Sequence, residues 1–283
     1  MALSQTWFDR ALGAVAPRLQ LRRTRARIAN DLVLRHYEGA ASGRRTQSWN
    51  RSTADGRSAM APYAGRLRAV ARDLVRNNPY AEAAVATIVD HTVGWGLTAK
   101  PATPNARALA AWKAWTETTA CDADGRHDFA GLQKLVMRTI VESGEVLIRR
   151  RLRFPEDGLP IPLQLQVIEP DYLDSSKTGI VLPNGGRIED GIEYDPIGRR
   201  AAYWLFTEHP GNAMRPGLLS QRVPAEAVLH VYKPTRPGAH RGVSWFGPVL
   251  LRFKDFDEFE DATLMKQKIA ACLAVITSDV DGT

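Results

Sequence analysis

The sequence has few cysteines and no long apolar segment. Its 283 residues include two cysteines, Cys121 and Cys272, which are too far apart for a CxxC metal or redox motif. No apolar run approaches the roughly 18–20 residues that span a bilayer, and the N-terminus lacks a basic segment followed by an apolar one. We therefore expect a reduced, intracellular protein with no membrane partner.

The motifs of common catalytic sites are also missing. There is no Walker A, GxGxxG, HExxH or paired CxxC pattern, so ATP hydrolysis, dinucleotide binding and zinc peptidase chemistry lack their usual residues. Residues 242–247 approach a nucleophile elbow, but Phe246 stands where that turn needs glycine. Asp122 and Asp124 resemble the start of a calcium loop that lacks its later carboxylates, which favours an acidic turn with Asp128 capping the next helix. The sequence predicts no catalytic residue, no cofactor and no metal site.

Positive charge is concentrated in the first quarter of the chain. Residues 1–76 contain 15 arginines, no lysine and five acidic residues, a net charge of +10, whereas residues 77–283 carry a net charge of −3. Arginine suits bidentate contacts to phosphate, and a basic arm is typical of proteins that bind a polyanion. An arm that docks on an acidic surface of a neighbouring subunit would explain the same charge. The candidate residues for contact with nucleic acid or a subunit are Arg22, Arg23, Arg44, Arg45, Arg68, Arg72 and Arg76.

Apolar periodicity divides the chain into three regions. Residues 1–57 are predicted to form a basic, partly flexible arm, with helices within 1–36 and an extended segment after them. Residues 58–247 are predicted to form one α+β domain, and residues 248–283 a long helix. The fold class is therefore α+β, with a helical N-terminal part, a central antiparallel β region and a long C-terminal helix.

Within the α+β domain, helices precede strands. Helical periodicity covers residues 62–76, 79–91 and 104–118 and a segment from Phe129 onwards. Leu67, Val70, Ala71 and Leu74 define the predicted core face of the first helix, which places Arg68, Arg72 and Arg76 on its solvent face. Short β-prone runs separated by turn residues follow. The predicted strands are residues 146–153, 163–168, 180–182, 188–194, 201–207 and 228–232.

The last helix carries a cluster of carboxylates interleaved with phenylalanines. The candidate residues are Asp255, Asp257, Glu258 and Asp261. One interpretation is an aromatic packing face with a solvated acidic face opposite. A second is a channel lining that repels passing DNA through the charge of its phosphates. A two-metal nuclease site is the weakest alternative, because the carboxylates surround the helix and no partner motif accompanies them.

Short segments spread in order over residues 40–276 resemble one known family. They include residues 73–81, 93–96, 144–146, 166–171, 191–195, 228–231, 236–238 and 241–245. No single segment is specific, but the ordered series resembles the N-terminal part of lambda-type phage portal proteins. The resemblance identifies a signature loop that contains Arg236, Gly238, Arg241 and Gly242.

The resemblance implies a structural protein and not an enzyme. Portal proteins form a ring, usually of twelve subunits, at one capsid vertex. The ring nucleates head assembly, docks the terminase large subunit, conducts double-stranded DNA during packaging and ejection, and binds capsid, scaffold and head-completion proteins. It is assembled in the bacterial host cytoplasm and remains in the virion. Residues 58–247 would then form a wing-like domain.

Two expectations complete this interpretation. Because family members are longer, residues 248–283 would form a truncated helix that leads towards the stem. The alternatives outside the family are a nucleic-acid-binding protein with a basic N-terminal arm and, more weakly, a metal-dependent nuclease.

Overall fold

In the part of the chain that the structure describes, four helices precede an antiparallel β region, and a fifth helix follows it. The computed structural model describes residues 53–99, 102, 105–212 and 218–273. The predicted elements of residues 1–52, with Arg22, Arg23, Arg44 and Arg45, lie outside these ranges. The helices are α1 (Ala61–Asn77), α2 (Pro79–Val93), α3 (Ala106–Thr116), α4 (Phe129–Ser143) and α5 (Leu250–Cys272). The predicted α+β class is confirmed.

Capping residues determine where the helices begin and end. Asn78 separates α1 from α2, and its side-chain oxygen accepts two backbone N–H groups of the first turn of α2. Pro79 occupies the first position of α2, where no N–H is needed. Asp128 accepts the N–H of Gly131 at 2.7 Å and begins α4, and Gly144 ends it in a left-handed conformation. The predicted break before Pro79 and the predicted cap at Asp128 are both confirmed.

Two antiparallel sheets form the middle of the described chain. One has the strand order β2-β1-β8, and the other has the order β3-β4-β5-β6-β7. The strands are β1 (Glu145–Leu152), β2 (Leu163–Ile168), β3 (Ile180–Val181), β4 (Arg187–Glu189), β5 (Ile192–Tyr194), β6 (Arg200–Phe206), β7 (Ser220–Pro224) and β8 (Val228–Tyr232).

The β region departs from the sequence prediction in two places. The predicted strand 188–194 is two strands, because Asp190 and Gly191 both have positive φ (49° and 79°) and turn the chain back as a hairpin. Strand β7 was not predicted. Apolar and polar residues alternate only weakly in its sequence, and Val223 is the one buried residue among its five positions.

The face that α1 turns inwards also differs from the prediction. Arg68, Ala71 and Val75 are buried, whereas Val70 is 45% exposed. The prediction that Arg68 and Arg72 lie on the solvent face is therefore wrong. The reason is that carboxylates beneath α1 bind both guanidinium groups, so the helix turns Arg68 and Arg72 inwards.

Apolar side chains join the helices to the sheets in three clusters. Leu147, Ile192 and Tyr203 belong to the cluster between the two sheets. Val85 and Phe246 belong to the cluster that joins α1, α2, α4 and the start of α5. The third cluster packs Trp115 and other aromatic residues of α3 and α4 against β2.

The long helix α5 begins two residues later than predicted. None of its 23 residues, all of which the structure describes, is buried. Its N-terminal half contacts the rest of the domain through Phe253, which packs against Phe246, and through Phe256, which packs against Tyr80. Among the described helices, none combines the length and the apolar character needed to cross a bilayer.

The loop that precedes α5 lies directly on the turn between α4 and β1. Gly144 has a φ of +91°, and a Cβ atom there would lie closer than 3.0 Å to backbone atoms of Val243 and Ser244. A Cβ atom at Gly242 would lie equally close to the carbonyl of Gly144. The backbone N–H of Trp245 donates to the carbonyl of Val141 at 3.1 Å. Only glycine fits at both positions of this contact.

We expect Gly144→Ala to lower the free energy of unfolding by about 3 kcal/mol or more, because the strain of a positive φ adds to a backbone clash. Gly125→Ala is the matched control, since Gly125 also has a positive φ (+67°) but an added Cβ would meet nothing within 4 Å. That variant should lose about 1–2 kcal/mol. Urea unfolding measures the free energy of unfolding of both variants. Equal losses in the two variants would contradict the close packing of the loop.

Candidate functional site

The most buried charge in the described domain is the carboxylate of Glu145. This residue begins β1 directly after the Gly144 turn, and its side chain has no exposed surface. The end of α4, the start of β1 and the signature loop all meet at this point. A buried carboxylate without partners would be strongly destabilising, so its partners define the site.

Four groups donate hydrogen bonds to Glu145. The guanidinium of Arg241 lies 2.6 and 2.8 Å away through Nη2 and Nε. The Nη2 atom of Arg68 lies at 3.3 Å, and the Nε2 atom of His230 lies at 2.9 Å. The backbone N–H of Gly242 donates at 2.8 Å. One carboxylate thus binds helix α1, strand β8 and the signature loop together.

A second layer of charges balances the first. Asp171 lies 2.9 Å from Arg68 and 2.8 Å from Arg72, so the two guanidinium groups of α1 share its carboxylate. Arg200, on β6, donates to His230 Nδ1 at 3.0 Å and to the carbonyl of His240 at 3.0 Å. The network therefore extends from α1 through both sheets to the signature loop.

The hydrogen bonds determine where His230 carries its proton. Arg200 can only donate, so His230 Nδ1 must accept, and the proton lies on Nε2 and is donated to Glu145. Burial lowers the pKa of His230, and the neighbouring arginines act in the same direction, against Glu145. Burial by itself would raise the pKa of Glu145, but the charge of Arg241 and the hydrogen bond of His230 outweigh it and hold that pKa well below its usual range. At neutral pH the pair is a neutral imidazole and a carboxylate.

The four signature-loop residues occupy two parts of this site. Arg241 and Gly242 bind Glu145 directly. Gly238 turns the outer part of the loop with a φ of +80°, and Arg236 donates to the carbonyl of Ala54 at 2.9 Å. The loop, to which the resemblance gave no role, is a structural clamp in this chain.

The arginines of α1 have two different surroundings. Arg68 is 7% exposed through its side chain, and Arg72 is bound by Asp171 and Glu169, so both charges are already neutralised within the domain. Neither guanidinium is free to meet a phosphate. Arg76 is exposed. Its contact with nucleic acid or with a subunit stays a prediction.

The acidic residues of α5 lie apart from the network. Asp257 accepts a hydrogen bond from Asn78 at 3.3 Å and therefore faces the domain. Asp255 and Glu258 pair at 3.5 and 3.6 Å with basic residues of the same helix. Asp261 lies on the exposed surface. The packing interpretation holds for one side of α5, and the channel lining stays a prediction.

One group of potential metal ligands occurs among the described residues. The side chains of Glu169, Asp171 and His209 converge within 4.8 Å. Arg72 Nη2 lies 3.3 Å from Glu169 and 2.8 Å from Asp171, so a guanidinium already occupies the position of a cation. The group contains no carboxylate of α5. It is an ion-pair cluster, and its chemistry stabilises the fold.

Sequence reasoning found part of this network. It predicted a strand over residues 228–232, which is confirmed as β8 and carries His230. It missed Glu145, Asp171 and Arg200 as a connected set. The available signal was a carboxylate followed directly by Val146 and Leu147, since a charge at the start of an apolar strand requires a partner.

The unfolding free energy should fall as the pH is lowered from 7 to 4. Between the ordinary pKa of histidine, 6.5, and its lowered folded value, the unfolded chain binds a proton at His230 that the folded chain excludes, and His240 acts in the same direction. Below the ordinary pKa of glutamate, 4.5, the same holds for Glu145. Urea unfolding at pH 7, 5.5 and 4 measures the decline.

Two histidine variants test this assignment. His230→Gln should reduce the loss of unfolding free energy between pH 7 and 5.5. His91→Gln, at the exposed end of α2, should leave that loss unchanged. A parent chain equally stable at pH 7 and pH 4 would contradict the assignment.

Comparison with known proteins shows which family this chain resembles. The model of the family described as "Phage portal protein, lambda family" matches residues 42–283. The chain is 35% identical over 136 residues to the probable portal protein of Halomonas phage phiHAP-1, covering 47% of this chain and 26% of that protein. It is 25% identical over 273 residues to portal protein B of Escherichia phage lambda, covering 87% of this chain and 49% of that protein.

Two further matches are a phage portal protein and a solved structure. The portal protein of Escherichia phage N15 is 24% identical over 272 residues, covering 87% of this chain and 50% of that protein. A solved structure described as the neck of an empty GTA particle overlaps 80% of this chain and 53% of its own at 15% identity, with a TM-score of 0.42, too distant to support a conclusion. The chain spans at most about half the length of the named phage relatives. Since the family model covers most of its length, the chain belongs to the lambda family of phage portal proteins.

Proposed function

We propose that this chain works as a portal subunit, in a ring at one capsid vertex that conducts double-stranded DNA during packaging and ejection and nucleates head assembly. The observation that carries the proposal is the exposure of α5, whose 23 residues are all unburied in a single chain. The role is structural, without catalysis.

The exposed surface of α5 is apolar as well as charged. Leu251 is 76% exposed, Phe259 66%, Met265 59% and Ile269 54%. A soluble helix normally buries such a stripe, and an exposed apolar surface of this kind marks contact with other chains. In a ring every subunit has two neighbours, which would cover the helix on more than one side.

The buried network supports this role by fixing the direction of α5. The signature loop leads into α5 within eight residues of Gly242, and that loop is bound to Glu145 through Arg241 and Gly242. A ring needs every subunit to present its surfaces at the same angle. The hydrogen bonds of a buried, ion-paired network are directional, so the network can supply such geometric specificity.

The finer assignments are part of the same proposal. Residues 1–57 act as a basic arm, 58–247 as a wing-like domain and 248–283 as a helix that leads towards the stem. The ring has twelve subunits and meets the terminase large subunit and the capsid, scaffold and head-completion proteins at the virion vertex. The contacts to DNA or to a neighbour come from Arg22, Arg23, Arg44, Arg45 and Arg76, and the channel lining from Asp255, Glu258 and Asp261.

The net charge of +10 in residues 1–76 favours a second candidate, a nucleic-acid-binding protein that uses a basic arm without forming a ring. The two candidates differ in assembly. A simple binding protein would act as a monomer or dimer, with an affinity for duplex DNA that falls steeply with salt.

The decisive measurement is the assembly state of the purified chain, by mass photometry and negative-stain electron microscopy. We expect closed rings with a central hole, because α5 exposes apolar surface that neighbouring copies would cover. A control sample with Leu251→Glu and Met265→Glu, which removes apolar surface from α5, should shift the population towards monomers. A monomeric parent chain that binds duplex DNA would favour the second candidate and contradict the ring.

A further inference from the structure

Strands β1 and β2 continue as a two-stranded ribbon beyond the end of β8, the third strand of their sheet. Strand β8 pairs with β1 only as far as Arg149, whereas β2 pairs with β1 as far as Leu152. The N–H of Arg153 then donates to the carbonyl of Pro162 at 3.0 Å. Residues 149–163, termed the ribbon, begin where the pairing with β8 ends, and residues 150–163 extend beyond it.

The ribbon has a net charge of +2, from four arginines against Glu156 and Asp157, and its arginines form no ion pair among the described residues. Its four arginines are Arg149, Arg150, Arg151 and Arg153. Within the described part of the chain, none of them has a carboxylate oxygen within 4.0 Å. Arg150 and Arg153 donate to neutral oxygens, the carbonyl of Glu226 and the side chain of Gln164. Other partly buried arginines, such as Arg138 and Arg222, are ion-paired.

The end of the ribbon is apolar. Leu152 is 84% exposed and Phe154 is 74% exposed. Arginine together with exposed aromatic and aliphatic side chains is the composition of protein–protein contact sites. A phosphate backbone would use the arginines but would leave Leu152 and Phe154 in water. The composition therefore favours a protein partner that is both acidic and apolar.

Helix α5 presents such a surface on the side that faces away from its own domain. Asp257 and Phe256 face the α1–α2 corner. The opposite side, termed the free face, includes Leu251, Asp255, Glu258 and Met265, at intervals of four, three and seven residues. All four side chains are exposed, and they combine two carboxylates with two large apolar groups. The pairs that the two carboxylates form with Arg252 and Lys254 are exposed and weak, so a basic partner can still bind them. The free face thus complements the ribbon in charge and in apolar character.

The two surfaces lie at opposite ends of β1. The strand starts at Glu145, beside the loop that leads into α5, and its eight residues extend about 26 Å, with the ribbon beginning in its second half. Two different surfaces that complement each other between copies make a head-to-tail contact, which is the kind that closes rings.

We propose that the ribbon of one copy docks on the free face of α5 in the next copy. The inference rests on the proposed function, because it names a contact that would close the ring. Arg150, which lies on the same face of β1 as Leu152, would meet Asp255 and Glu258. Leu152 and Phe154 would cover Leu251 and Met265, which flank the two carboxylates.

Charge reversal tests the contact in the full chain. Arg150→Glu should weaken assembly by about tenfold or more, and so should Asp255→Arg with Glu258→Arg, because like charges then face each other. Combining the three changes should restore assembly. The matched control is Arg107→Glu with Lys113→Glu on the exposed side of α3, which should leave assembly unchanged. Sedimentation velocity measures assembly, and circular dichroism confirms the fold of each variant.

The outcomes separate this inference from the proposed function. If the parent chain forms no ring, both the ring and this contact are wrong. Rings that persist in both reversal variants would overturn the contact alone. Rings that persist while the ribbon variant loses affinity for duplex DNA would instead make the ribbon a nucleic-acid contact and overturn the inference.

A covalent test applies even if a reversal variant fails to fold. In a Cys272→Ser background, Phe154→Cys with Phe259→Cys places one thiol on the ribbon and one near the free face. Oxidation should give a ladder of linked multimers, because each copy would bond to a different neighbour on each side. The single variants should give no ladder, and its absence from the double variant would overturn the contact.

Discussion

The buried ion pair between Glu145 and Arg241 joins parts of the chain that are nearly a hundred residues apart. Removing both charges from water costs several kcal/mol, and the pair is tolerated because His230, Arg68 and the N–H of Gly242 complete the hydrogen bonding of the carboxylate. Apolar side chains of equal volume could stabilise the fold as well. They would not hold the signature loop in one orientation, and that orientation is what the charge pair contributes.

The close glycine contact makes this arrangement possible. Gly144 and Gly242 allow two backbones to approach until the N–H of Gly242 reaches Glu145. The loop can then continue directly into α5, which leaves the domain with its apolar and acidic residues exposed. A chain of interactions thus runs from one buried carboxylate to the surface that a neighbouring copy would contact. The proposed portal role depends on shape and charge along this route.

Local signals in the sequence predicted most of the regular elements. Strands β2 and β8 matched their predicted ranges, and the Asn78-Pro79 break between α1 and α2 followed from capping chemistry. The inward face of α1 could not be found in this way, because the partners of Arg68 lie 77 and 103 residues further along the chain. Helical spacing alone predicts that Arg68 lies on the surface. The site was missed for the same reason, since no local pattern connects Glu145 with Arg241.

The most direct test of this account is the coupling between Glu145 and Arg241 in a double-mutant cycle of unfolding free energies. Glu145→Gln and Arg241→Gln should each destabilise the fold by about 3–5 kcal/mol, because each leaves a buried charge uncompensated. The double variant should be less destabilised than the sum of the two single variants by about 2 kcal/mol or more. Additive losses would contradict the account, since they would mean that the two charges do not depend on each other.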